Sequence, residues 1–489
     1  MSNLSDLIPA GGGQNNTDFV ADGAIASGKP VILTAAGKAA EIVGVAGAMG
    51  TQGVAPGNAK SGGDAGACYH SSEGTVVISF TDSSNSNYPS CSVATTSGTT
   101  VTLSTPLVLK SSACSYNKCA YDSTQNRVVF HYKLNGAGNY TYLRAASLSG
   151  TTFTLGTEID AFSGTGVGNR YGDISNIAAS QVIIVGSVSG TSAQVVSISG
   201  STLTANTAVA VSSGDSYPAR IASGKVGEFL CVLGYYTTSP AMRFVAGTVS
   251  GTTITAGTET VLDTGLSYPC DLASGYWNGH TSPESTYMAA YHPPGGATDS
   301  QVVRIITVSG TTLTLNATTA LGVFSSNFYC MGWGNSATQA LLFTRDGADG
   351  VVVELTYSGT TVTKGPTTDV GAGNYGNTSM VWDQTSSKAV LFYYQGSDND
   401  YATANCFTPS TTTLTSSNLL GIASGAILDT ATGTINTWGS RNEVQTSLTI
   451  ASDYYAQTDG TITTTSTGTA QLLGKALSAT MINIKDYTG

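Results

Sequence analysis

Hydrophobic positions along this chain follow two patterns in alternation, and both belong to strands. Seven short runs are apolar at most positions: Thr75 to Phe80, Arg127 to Tyr132, Gln181 to Val185, Glu228 to Leu233, Thr286 to Tyr291, Gln339 to Phe343 and Lys388 to Tyr393. Continuous apolarity over so short a span predicts a strand buried on both faces. Downstream of each run comes a half-polar segment, Ser-Gly-Thr-Thr-apolar-Thr. It stands at Ser97 to Thr102, Ser149 to Thr154, Ser250 to Thr255, Ser309 to Thr314 and Ser358 to Thr363, with looser copies at Ser199 to Thr204 and Ser410 to Thr415. Glycine takes a φ > 0 turn position without a Cβ clash, and Thr-rich flanks pair well on a half-wet sheet surface, so each copy predicts a hairpin.

The apolar residues of the motif, Val101, Phe153, Leu203, Ile254, Leu313, Val362 and Leu414, are spaced by 52, 50, 51, 59, 49 and 52 residues. A period near 50 in an all-β chain predicts four strands per propeller blade. Ahead of each apolar run lies a short segment of small residues, as at Ala67 to His70, Lys118 to Tyr121 and Asp173 to Asn176. Cys, Ala, Gly and Ser suit a crowded inner strand, and Cys68, Cys119, Cys270 and Cys330 fall in that register. The prediction is an all-β, seven-bladed propeller over residues 65–417, closed so that no sheet edge is left to template aggregation. A solenoid is the rival architecture and would need polar capping repeats. Residues 1–64 and 418–489 read as β segments too small to hold separate cores, expected to join in one composite β domain into which the propeller is inserted.

Composition narrows the function. Charged residues make up 10 % of the 489, with a net charge of −11 and no basic stripe, which excludes nucleic acid as a partner. No apolar run is long enough to span a membrane, and the N-terminus has neither the basic start nor the apolar stretch of a signal peptide. A chain rich in Gly, Ser, Thr and Tyr but without an export signal is expected to fold in a host cytoplasm and leave inside a particle. Its eight cysteines, without a Cys-x-x-Cys pair, read as reduced, buried side chains.

The two ends carry a likeness to a known group. Gly11 to Ile42 (GGGQNNTDFVADGAIASGKPVILTAAGKAAEI) resembles the opening of virion structural and fibre-like proteins of tailed, particularly marine, bacteriophages. Thr449 to Lys485 is similar to their closing segment, with Asp453-Tyr454-Tyr455 and Asp459-Gly460-Thr461 followed by Gly474-Lys475-Ala476-Leu477-Ser478-Ala479-Thr480. The resemblance implies a virion location, other virion proteins as partners, and 1–64 as the segment that attaches to the particle. Fibres of that kind are often homo-oligomers.

Candidate chemistry is sparse. His70, His131, His280 and His292 form no metal-binding pair, and no cofactor motif occurs. The acidic loops Arg345 to Gly350 and Gly396 to Asp400 read as turns. On the inner segments only Asp173, Arg220 and Asp271 offer charged groups facing a channel, too few for the paired carboxylates of glycoside cleavage, so the chain is expected to have no enzymatic activity. Aromatic residues at strand ends are the candidates for surface recognition: Tyr235, Tyr236, Trp277, His280, Tyr291, His292, Tyr393 and Tyr394. The expected role is a non-enzymatic tail fibre or spike displaying its propeller to a host-surface glycan or protein. Capsid decoration and a free lectin-like propeller are the alternatives.

Overall fold

The computed structural model describes residues 15–485 except 63–64, 137–139, 163–169, 188–189, 214–215, 236–240, 265–270, 275–285, 292–299, 324–329, 335–337, 347–348, 373–374, 396–399, 416 and 467–469. The chain divides into two compact units, residues 48–409 and residues 1–47 with 410–489. Among the described residues no helix is long and apolar enough to cross a membrane.

Residues 48–409 form seven antiparallel sheets, the blades of a propeller, each four strands across, with the outermost position split between two short strands in blades 1, 3, 4 and 7. In each blade strand A is innermost and strand D outermost. The A strands are Gly66–His70, Cys114–Asp122, Arg170–Ala178, Ser216–Ser223, Asp271–Ser274, Cys330–Trp333 and Tyr375–Asp383. Each touches the next, and the seventh returns to the first, so the stack is a ring and not a solenoid. Among the described residues seven hydrophobic clusters lie one between each pair of neighbouring blades. Between blades 1 and 2 the cluster holds Cys68, Val77, Cys91, Leu109, Cys119, Val128 and Phe130. Between blades 7 and 1 it holds Val390, Phe392 and Cys406 with Tyr69, Ile78 and Phe80. The B strands are covered on both faces, which is why their sequence is apolar without alternation.

Six of the repeated hairpins join strands C and D of blades 1 to 6. Their first turn residues, Gly98, Gly150, Gly200, Gly251, Gly310 and Gly359, all have φ between 57° and 62°, the left-handed position that a two-residue turn gives to glycine. The seventh copy corrects the expectation. Ser410 to Thr415 has no glycine, and Thr411–Thr412 instead pairs with Gly44–Val45 in the terminal unit, where Leu414 is buried. Blade 7 takes its outer strand from the other end of the chain: Ala48–Met49 and Gly53–Val54 pair with Ala402–Thr408. Residues placed by sequence in the N-terminal segment therefore close the ring.

The terminal unit is composite. Its five-stranded sheet runs Asn16–Val20, Thr432–Asn436, Leu419–Ala423, Pro30–Leu33, Ala39–Glu41, mixing strands from both chain ends. Val31, Ala39, Leu420 and Ile435 share one core. A second sheet holds the two C-terminal motifs, with Tyr454 and Tyr455 in strand Asp453–Ala456 and Gly474 to Ser478 in strand Gln471–Ser478.

Candidate functional site: the face of blade 2 toward blade 1

The second blade consists of Cys114–Asp122, Arg127–Leu134, Thr141–Ser149 and Thr152–Ala161. Its register sets two rows across the sheet. Phe130 pairs with Arg144 and Arg144 with Glu158; Tyr132 pairs with Tyr142 and Tyr142 with Asp160. Side chains of paired residues share a face, and Phe130 and Tyr132 belong to the cluster shared with blade 1. This face therefore looks toward blade 1, while the intervening Leu143 and Ile159 pack toward blade 3. In the stretch Thr157-Glu158-Ile159-Asp160 the period of two puts both carboxylates on the blade 1 side.

The groups on this face satisfy one another unevenly. Glu158 accepts the Tyr132 hydroxyl at 2.5 Å and pairs with Lys110, from the segment linking the two blades, at 2.7 Å. Tyr132 is fully buried, and burial first, then the Glu158 bond, pushes its hydroxyl pKa far up. Arg144 is spent on main chain: Nε donates to Gly156 O at 2.9 Å and Nη1 to Leu109 O at 2.5 Å. The Lys110 ammonium lies 5.9 Å from the centroid of the half-buried Tyr142 ring, which stacks at 6.4 Å on Tyr132. Asp160 differs from its neighbours. Its Oδ1 is shielded from water yet has no hydrogen-bond partner, and burial raises its pKa from the ordinary carboxylate value.

A second irregularity sits at the same end of the blade. Pairing jumps from Ser115–Lys133 to Asn117–Tyr132, leaving Tyr116 in a bulge at φ 60°. A bulky residue in that region is uncommon. Asn117 holds the bulge, its buried amide donating to Phe80 O at 2.7 Å and Ser90 O at 3.3 Å. Lys133 Nζ lies 5.9 Å from the Tyr116 ring centroid, and Ser115 Oγ donates to Asn135 Oδ1 at 2.8 Å. One-residue bulges recur in the A strands of blades 3, 4 and 7. Bulges of this kind re-aim side chains at sheet ends.

The aromatic residues singled out from sequence do not form one surface. Tyr291 and Tyr393 are 2 % and 1 % exposed, Tyr291 in the core between blades 4 and 5 and Tyr393 against Phe343 and Tyr375. They end B strands, and a strand covered on both faces buries either side of the pleat, so the expectation that they are surface residues is corrected. Tyr394 is half-buried opposite Gly376. Tyr235 ends strand Glu228–Tyr235 with its backbone paired to Ser216. Tyr236, Trp277, His280 and His292 lie outside the described residues.

The remaining candidates are structural where they are described. Asp173 accepts from its neighbour Ile174 N at 2.9 Å and from Ile221 N of blade 4 at 3.2 Å, a tie between blades. His70 stacks on Tyr121 at 4.3 Å and accepts from Glu73 N at 3.2 Å. The seven described cysteines are buried free thiols; Cys68, Cys91 and Cys119 share one core, where the hydrogen bond with Cys119 and then burial push up the Cys68 thiol, and burial pushes up that of Cys91. Among the described residues no group of three His, Cys, Asp or Glu is placed to hold a metal. Lys110, Tyr142, Glu158 and Asp160 on this face escaped sequence reading. Their signal was the alternation through Asp160; what was missing was the register that sets it beside Tyr142.

No family model matches the chain, and no curated protein is similar to it in sequence. Solved structures are similar in fold. The BP39L lectin from Burkholderia pseudomallei aligns over 72 % of this chain and 96 % of its own, at 10 % identity and a TM-score of 0.51. The intramolecular trans-sialidase from Ruminococcus gnavus, in complex with oseltamivir carboxylate, aligns over 73 % and 96 % at 11 % identity and a TM-score of 0.43. NanB with Optactamide aligns over 71 % and 67 % at 8 % identity and a TM-score of 0.42. The likeness to the BP39L lectin supports the propeller and nothing finer. The expectation of a chain without enzymatic activity is corrected: one fold hosts many unrelated functions, catalysis among them, so absence of catalysis does not follow from this architecture.

Proposed function

We propose that the protein is a carbohydrate-recognition propeller, carried by a composite terminal unit, and that the blade 2 face around Tyr142 is a site where it meets its glycan. The observation that carries this reading is the half-buried Tyr142 ring, with Lys110 over it and Asp160 paired to it in register, on the blade 2 face that looks toward blade 1. A sugar ring stacks on an aromatic face while carboxylates take its hydroxyls. The fold shared with the BP39L lectin supports the same direction. Binding of the intact chain to an immobilised glycan array is the test. Retention of one or more glycans is expected, with Tyr142→Ala weakening it by about tenfold, the worth of one stacked ring. A chain that retains no glycan overturns the reading.

A second reading concerns location. Both chain ends build one unit while the propeller is a single insertion between residues 47 and 410, a division of labour that suits attachment by one part and display by the other. With the terminal likeness to bacteriophage virion proteins, this supports a place on a phage particle, as a tail appendage or on the capsid surface. Mass spectrometry of purified particles finds the polypeptide if so. Its absence from particles removes the assignment and leaves the carbohydrate reading intact.

A further inference from the structure

Apolar surface is unevenly shared between the two units, and charge indicates what covers it. Among the described residues seven of the exposed large hydrophobics belong to the smaller unit and four to the propeller. Scattered apolar residues on a surface need no partner, whereas grouped ones mark an interaction site. Ile450 and Leu477 are grouped. In the second sheet of this unit Lys475 pairs with Asp453 on one side and with Asn483 on the other, and Asn483 pairs with Arg441. Their neighbours Tyr454, Ala476 and Ile482 face the core, so alternation turns this row of four to solvent, where all are exposed. The ladder bulges at Leu477, beside Met481, and the turn of Thr449 to Ser452 runs alongside, with Ala451 N donating to Ala476 O at 2.9 Å. That turn carries Ile450, so two exposed apolar side chains lie next to the row.

The row begins on an anion, Asp453, and ends on a cation, Arg441, three strand spacings or about 14 Å away. Between them Lys475 Nζ lies 2.9 Å from Asp453 Oδ1 and donates to Ala451 O at 3.0 Å. A partner of one charge sign suits one end of this row and is repelled at the other. A second copy, turned over about an axis along the strands, reverses the row. Each Asp453 then meets the other copy's Arg441, each Lys475 the other's Asn483, and each Leu477 the other's Met481. Elsewhere the net charge of −11 keeps copies apart.

We propose that this face of the terminal unit joins two copies of the chain in a two-fold dimer, a contact that uses the same patch on both. The inference does not depend on the carbohydrate reading. A small patch with exposed ion pairs sets the association in the micromolar range.

Sedimentation equilibrium on the full chain, at concentrations up to about 100 μM, tests it. A dimer is expected. Leu477→Asp and Ile450→Asp should each leave a monomer with an unchanged melting midpoint, because both side chains are exposed. Arg441→Gln and Asp453→Asn should each weaken the dimer about fivefold, and the double variant no more than either alone, since each change removes the same two ion pairs. A chain that stays monomeric, a trimer or larger assembly, a dimer that survives both aspartate variants, or additive losses from the two charge changes overturns the inference. Should one aspartate variant lose its fold, the other decides.

Discussion

At the scale of single residues, His131 shows how this fold tolerates a polar group for the sake of packing. It follows Phe130 in the second B strand, so it points away from blade 1 and meets Gly172 in the inner strand of blade 3. A Cβ at position 172 would meet the imidazole at 2.6 Å, so the glycine is the space the ring occupies. The ring is 1 % exposed and neither nitrogen has a partner. Burial, and secondarily the Lys118 charge, lowers its pKa from 6.5 to about 3. The folded state thus refuses a proton that the unfolded chain accepts near pH 6.5. Stability from this group is complete above that pH and is lost as pH falls toward 3, by up to about 1.4 kcal/mol per unit. His131→Leu removes both the titration and an unpaired buried nitrogen, which is worth about 1–3 kcal/mol. Thermal melts from pH 4 to 7 should give a higher midpoint and a flatter pH profile for the variant. An unchanged profile would mean that His131 does not titrate across unfolding.

At the scale of elements, two kinds of glycine do different work. Gly310 sits at φ 62° in the hairpin of blade 5 with nothing within 4 Å of where a Cβ would be. Gly310→Ala should therefore cost only the left-handed backbone penalty, about 1–2 kcal/mol. Gly53 has no such dihedral but lies against the main chain at Val101 of blade 1, where the closing segment crosses from blade 7. Gly53→Ala must push two strands apart and should lower the melting midpoint more than Gly310→Ala does. The reverse order would mean that the crossing relaxes freely. The same contrast explains what the sequence disclosed. Hairpins repeat a turn residue with one backbone demand, so six copies were legible, and the seventh lacked the glycine that would have made it one. The closing strands, Ala48–Met49 and Gly53–Val54, are two residues each, too short for any periodicity, and they pair with a strand some 350 residues away. The candidate site was hidden for a related reason. Alternation puts Glu158 and Asp160 on one face, but only register brings Tyr132 and Tyr142 beside them, and only ring order brings Lys110.

At the scale of the whole molecule, the closing segment decides what counts as a domain. Thr51 N donates to Thr99 O at 2.7 Å and Val101 N to Thr51 O at 3.2 Å, while Gly50 N donates to Cys406 O at 2.8 Å, so one short segment bonds to the first blade and the last. A ring sealed in this way satisfies the edges of blade 7 and holds the first and last blades together without help from the terminal unit. A fragment of residues 48–409 contains every strand of the seven sheets and should fold alone, with a cooperative melt and monodisperse behaviour in solution. A fragment of residues 65–417, the propeller as bounded by the repeats alone, lacks the outer strand of blade 7 and keeps a tail, Thr411 to Leu414, whose partners lie in the other unit. Its bare strand Ala402–Thr408, buried along its length in the intact chain, would present unpaired amides and carbonyls beside apolar side chains, the condition under which edge strands pair with other molecules. Light scattering and dye binding should therefore report aggregation for 65–417 and not for 48–409. If both fragments behave alike as folded monomers, ring closure rests on the inner-strand contacts, and the segment from 48 to 54 is a passenger on a ring that is already shut.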